Sequence, residues 1–137
     1  MSVLIRETAP SPDEFCTFRE ACWWGTVELE IARIALENSL LIVSAYEDDV
    51  LIGFVRVVGD GVLNVYIQDL IVDERHRGHG IGAQLMTYVL KKLKSDFPAT
   101  LDIGLMSAEG KEGFYEAFGF KRRPGIGFGA GMMLYAT

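Results

Sequence analysis

The 137-residue sequence has little cysteine, little histidine and no concentration of positive charge, and each shortage removes a class of function. Cys16 and Cys22 are the two cysteines, both in a stretch that reads as helix. Six helical residues separate them by about 9 Å along the axis and turn them to different faces, so a disulfide between them is excluded. Two cysteines and two histidines at no zinc-like spacing give no expected metal site. Thirteen Lys and Arg against nineteen Asp and Glu leave a net charge of −6, and no basic run forms a binding arm. Nucleic acid is therefore not the expected partner. The longest apolar runs, such as Leu40 to Val43, are far too short to span a bilayer. The first ten residues lack the apolar stretch of a signal peptide, so a soluble cytoplasmic protein away from membranes is expected.

What is present reads as one globular domain over residues 1–137, with 50% hydrophobic and 23% charged residues. Val3 to Arg6 is a short strand. Ser11, Pro12 and Glu14 open a helix as N-cap, first helical residue and capping-box acid. Phe15, Phe18 and Cys22 mark its inner face, and Gly25 is the expected stop. Thr26 is placed to cap a second helix with Val27, Ile31, Ile34 and Ala35 inward. The period then changes to that of strands: "LLIVSAY", "VLIGFVRVV" and "VLNVYIQDLIV" form an antiparallel meander. Ile81, Leu85, Val89 and Leu93 at steps of four mark a helix ending before Pro98, followed by the strand "TLDIGLMS". "KEGFYEAFGF" is a short helix, and "GMMLYAT" a final strand. The fold class is α+β: a mixed, mostly antiparallel sheet flanked by helices, with a strand–glycine loop–helix–strand parallel crossover of right hand.

The crossover carries the sharpest signal, "RHRGHGIGAQL" from Arg75 to Leu85. Glycine costs backbone entropy, so three glycines in five positions at the start of a helix need a reason. Bare amides at a helix N-terminus make an anion site, and Arg75 and Arg77 add charge suited to phosphate. A pyrophosphate is the natural occupant. No Gly-Lys-Ser/Thr follows, so this is not a Walker loop. Gly78-x-Gly80-x-x-Ala83 fits a loose dinucleotide pattern in the wrong context. "DERHR" separates it from its strand, and Asp102 begins the next strand rather than ending it.

"VDERHRGHGIGAQLM" resembles the pyrophosphate loop of the GNAT superfamily of acetyl-CoA-dependent N-acetyltransferases, with Arg77, Gly80 and Gly82 at the motif positions. "FYEAFGF", Phe114 to Phe120, is similar to that family's aromatic-Tyr-Glu-x-x-Gly-Phe signature, and the two lie either side of one strand in the family's order. The resemblance implies a GNAT-like fold and transfer of acetyl from acetyl-CoA directly to an amine. It implies a cofactor held by the amides of Arg77, Gly78, His79, Gly80, Ile81 and Gly82 and by the edge of Leu70, Ile71 and Val72. There the fourth and fifth strands of the family splay and the cofactor's amide-bearing arm pairs like an added strand. Where the family often carries an Asn seven residues before the Tyr, this chain has Ala108. A homodimer is one option the resemblance implies.

The chemistry needs a proton taken from the amine and one given to the leaving thiolate. Asp69, an acid in an otherwise apolar strand, is the first candidate for the former. It is equally readable as an anchor for the ammonium or as a structural carboxylate. His76 and His79 sit in the phosphate loop and are poorer candidates. Tyr115 is placed to donate to sulfur, since three other aromatics in its helix serve for packing. The expected acceptor is a small-molecule amine, with a protein amine or a non-catalytic CoA-binding module as alternatives.

Overall fold

The computed structural model describes residues 2–136. The chain divides into two compact units, Met1–Gly104 and Leu105–Thr137. The first contains β1 (Leu4–Arg6), α1 (Pro12–Ala21), α2 (Leu29–Glu37), β2 (Leu41–Glu47), β3 (Val50–Gly59), β4 (Asn64–Val72), a 3-10 turn at Glu74–His76, α3 (Ile81–Asp96) and nearly all of β5 (Asp102–Leu105). The second contains α4 (Glu112–Glu116).

The five strands form one sheet in chain order, β1 to β5. β1 to β4 pair antiparallel. β5 reaches its place beside β4 by way of α3, and the two strands start at the same end: Asp102 N–H donates to Leu63 O at 2.7 Å, and Thr100 Oγ1 to Val62 O at 2.6 Å. A helical connection between neighbouring strands that start together is the parallel crossover expected from the sequence.

Cross-strand partners share a face, so the register sorts the core. Phe54 and Ile71, paired across β3 and β4, join Ile42, Leu51, Phe15, Cys16, Ala32 and Leu36 in a cluster beneath α1 and α2. The rings of Phe15 and Phe18 each lie 5.7 Å from that of Phe54. On the other face, Val43, Val55 and Val57 are fully buried, and α3 covers the sheet with Ile81, Leu85, Met86, Val89 and Leu93. That is the stripe its four-residue period indicates.

Helix α1 begins as its sequence dictates. Glu14 N–H donates to Ser11 Oγ, and Ser11 N–H to Glu14 Oε1. Its end comes earlier than expected, because Trp23 at φ +62° already takes the left-handed position that closes the helix, two residues before Gly25, which is left-handed as well at φ +87°. Helix α2 also differs. It starts at Leu29 behind Glu28, not behind Thr26, and its inner residues are Ala32 and Leu36, while Ile31 and Ile34 face solvent. Ala32, with nothing beyond Cβ, lets the helix approach closely, and that packing overrides the wider apolar stripe. Both cysteines are free. The expected last strand is absent over residues 131–136, and Thr137 lies outside the described residues.

Candidate functional site

Between Val57↔Ile67 and Arg56↔Asp69 the register of β3 with β4 shifts, so Gln68 is an extra residue, a β-bulge. Simple alternation would put Val65, Ile67, Asp69 and Ile71 on one face. The bulge instead leaves Ile67 with Val57 and turns Asp69 and Ile71 towards α1 and α2. Beyond it, Leu70, Ile71 and Val72 pair with Val55, Phe54 and Gly53 on one side. On the other side β5 is only four residues long and starts beside Leu63, so it ends short of Leu70. The outer edge of Leu70 to Val72 is thus free of any described strand.

The glycine loop follows. Gly78 and Gly80 both adopt left-handed backbone, at φ +80° and +78°, and a Cβ added to either would meet nothing within 4 Å. Gly80 is the N-cap of α3 and offers no side-chain acceptor to the helix. The first intrahelical bond is Gln84 N–H to Gly80 O, at 3.0 Å. The amides of Ile81, Gly82 and Ala83 therefore open a sixteen-residue helix with the positive end of its dipole and no cap.

The side chains around this loop are turned to local partners. Arg77 Nε donates to Val72 O at 3.0 Å, and its Nη2 lies 4.0 Å from Cys22 Sγ. Arg77 thus braces the end of β4, whereas the charge of Arg75 is in solvent, 3.4 Å from Asp73. His76 bridges two carboxylates, with Nδ1 2.9 Å from Asp73 Oδ2 and Nε2 3.3 Å from Glu47 Oε1. The bond with Asp73, with that to Glu47, raises the imidazole pKa above its usual 6.5. His79 Nδ1 donates to His76 O at 3.2 Å. Burial of the Cys22 thiol raises its pKa, against the pull of Arg77.

Asp69 is fully buried. Its Oδ1 accepts from Arg19 Nη1 at 2.8 Å and its Oδ2 from Arg56 Nε at 2.7 Å. Of the roles open from sequence, this geometry fits the structural carboxylate: both oxygens are engaged by guanidinium groups, and neither faces a free edge. The triad ties α1 to β3 and β4. Arg19 and Arg56 were not among the sequence candidates, although a signal existed. Each of two adjacent buried strands carries one charge, Arg56 in β3 and Asp69 in β4, and opposite charges in neighbouring apolar strands are expected to meet.

In the second unit Tyr115 lies in α4, half-buried, with the edge of its ring against Phe114 at 5.0 Å and Phe120 at 6.1 Å. Burial raises the phenol pKa above its usual 10, so the hydroxyl keeps its proton at neutral pH. That hydroxyl has no hydrogen-bond partner among the described residues. No cluster of potential metal ligands occurs among the described residues, and none of their helices is long and apolar enough to cross a membrane.

The chain is similar to known proteins. The family model of the acetyltransferase (GNAT) domain matches residues 9–132. An uncharacterised N-acetyltransferase of Prochlorococcus marinus, ycf52-like, is 33% identical over 105 residues, 74% of this chain and 57% of the relative. The chain spans about half the length of the curated relatives it matches. Among solved structures, a Staphylococcus aureus protein of unknown function superposes with a TM-score of 0.88 at 26% identity, covering 98% of this chain and 99% of that one. A GNAT family acetyltransferase of Streptococcus pneumoniae superposes with a TM-score of 0.80 at 28% identity, covering 99% and 98%. With the family model spanning nearly the whole sequence and the strand–loop–helix unit in place, the chain belongs to the GNAT acetyltransferase family.

Proposed function

We propose that this chain transfers an acetyl group from acetyl-CoA to the amine of a small molecule. The observation that carries the reading is the pair of left-handed glycines at the N-terminus of α3, with open space where Cβ atoms would stand, directly after an uncovered strand edge. That cradle suits a pyrophosphate, because amides and a helix dipole serve a doubly anionic group without a side chain in the way. Gly78 to Gly82 and Ala83 would hold the phosphates, and Leu70 to Val72 would pair with the amide-bearing arm. Acetyl-CoA supplies an activated acyl group on a thiol that leaves readily.

Asp69 acts here through Arg19 and Arg56, holding the end of β4 in register, and takes no proton itself. The family resemblance gives Tyr115 the role of acid, and its hydroxyl is protonated at neutral pH with no hydrogen-bond partner among the described residues. The amine proton passes to water, since no buried carboxylate is free for it among the described residues of the first unit.

The test is calorimetry with CoA, followed by an acetyl-CoA-dependent thiol-release assay over an amine panel. Gly80→Val introduces a β-branched side chain where φ is +78° and phosphate must approach. CoA affinity is expected to fall at least tenfold while circular dichroism is unchanged. Undiminished affinity in a folded Gly80→Val protein would remove the loop from the site.

A further inference from the structure

Trp23 occupies a position that glycine fills most easily. It follows Cys22, the C-cap of α1, with φ +62°. Its N–H donates to Glu20 O at 3.0 Å, and Trp24 N–H donates to Arg19 O at 3.1 Å. These two bonds are the Schellman pair that closes a helix, and the residue between them is left-handed. A side chain with a Cβ is disfavoured there, and a bulky one more so. Packing does not compensate, because Trp23 is 93% exposed. Its neighbour differs: the ring of Trp24 lies 5.6 Å from the Arg19 guanidinium. Of two adjacent indoles, one is anchored and the other is bare, serving neither the turn nor the core. Local strain combined with a large exposed aromatic is a pattern of binding sites.

The turn is fastened to the cofactor edge on both flanks. Before Trp23, Cys22 Sγ lies 4.0 Å from Arg77, whose Nε holds Val72 O. Through Trp24, the turn is stacked on Arg19, which holds Asp69 one residue before Leu70. An exposed indole face stacks on aromatic rings and attracts ammonium groups.

We infer that Trp23 is a specificity-determining residue, its indole forming a wall for the body of the acceptor and making arylalkyl amines the favoured substrate class. The inference rests on the acetyl-transfer reading. It explains why a strained position keeps tryptophan.

The experiment compares phenethylamine with propylamine on the wild-type protein and on Trp23→Ala, Trp23→Phe and Trp23→Gly, with CoA affinity and melting temperature measured in parallel. The wild type is expected to favour phenethylamine by about tenfold or more in kcat/KM. Trp23→Ala should lose about tenfold on phenethylamine, through KM, with propylamine turnover and CoA affinity unchanged, and Trp23→Phe should keep the preference. Trp23→Gly should show the same loss while melting about 2–5 °C above the wild type, since glycine relaxes the turn. A structural role would lower stability in both small variants and leave the preference intact. An unchanged phenethylamine KM in Trp23→Ala or Trp23→Gly overturns the inference. So does absence of phenethylamine binding to the CoA-loaded wild type in a tryptophan fluorescence titration. Failure of the wild type to bind CoA overturns the acetyl-transfer reading itself, and this inference with it.

Discussion

Replacing Asp69 with Asn would leave the shape of the side chain almost unchanged and remove the charge that Arg19 and Arg56 share. Two guanidinium groups, both largely buried, would then face each other with no anion between them. Breaking a buried pair in this way costs about 3–5 kcal/mol, far more than the pair contributes over an apolar replacement. The expected outcome for Asp69→Asn is a large fall in urea midpoint, with the pH profile of kcat keeping its form in the protein that remains folded. A removed acidic limb with undiminished stability would instead make Asp69 the proton acceptor. Tyr115 gives the opposite pattern. Tyr115→Phe keeps the ring contacts with Phe114 and Phe120 and removes only the hydroxyl. Stability and CoA affinity should hold while kcat falls. General acid help is typically ~10²–10⁴-fold, and a thiolate, needing little help, places the loss near the low end. Full kcat in the Phe variant at neutral pH would reduce Tyr115 to packing.

At the scale of elements, β4 decides the site. Its bulge at Gln68 is what sends Ile67 towards α3 and Asp69 towards α1. Deleting Gln68 removes the extra residue and leaves Ile67 opposite Val57 and Asp69 opposite Arg56 in a regular ladder, so the residues on both sides keep their faces and partners. Ile67, Asp69 and Ile71 therefore stay buried, and what is lost is the local bend and added twist that the bulge gives β4. The deletion variant is expected to keep a cooperative melting transition but to lose about tenfold or more in CoA affinity by calorimetry, because the edge of Leu70 to Val72 is re-aimed. Gln68→Ala, which keeps the extra residue and changes only an exposed side chain, should melt within a few degrees of the wild type and keep its CoA affinity. The bulge was not legible in the residues themselves, because an apolar strand interrupted by Gln68 and Asp69 fits a continuous buried strand equally well, and a bulge is visible only in the pairing with β3. The helix α3 was legible throughout, since Ile81, Leu85, Val89 and Leu93 repeat the period of one buried face. The glycine loop was legible because three glycines in five positions at a helix entrance mark backbone that must take left-handed positions without a side chain in the way. The boundary of α1 was not, because Gly25 advertises a stop and Trp23 takes the left-handed position before the chain reaches it. The last segment reads as a strand from composition alone; no described strand forms there.

The whole molecule combines a net charge of −6 with ion pairs whose titrations act in opposite directions. The pKa of Glu7 is lowered by the hydrogen bond from Tyr88 and by Lys92; that of Asp96 by Lys92; that of Asp60 by the amides of Val62, Leu63 and Asn64; and that of Glu116 by Arg122. A carboxylate with a lowered folded pKa contributes stability above its unfolded value, ordinarily 3.8 for Asp and 4.5 for Glu, and loses it as pH falls through the folded value. His76 acts in the other sense. Its pKa is raised above 6.5 by Asp73 first and Glu47 after it, so its contribution is complete below 6.5 and is lost as pH rises through the folded value. A neutral imidazole has one N–H and can donate to only one of the two carboxylates it bridges. The melting temperature is therefore expected to be highest between about pH 5 and 6.5, with a shallow alkaline decline that belongs to His76. The contributing groups are near the surface, so each limb should be small and should weaken further in 1 M salt. His76→Gln, which retains one donor and does not titrate in this range, is expected to flatten the alkaline limb and leave the acid limb in place. An unchanged decline above pH 6.5 in that variant would show that the bridge from Glu47 to Asp73 does not hold the loop through its charge.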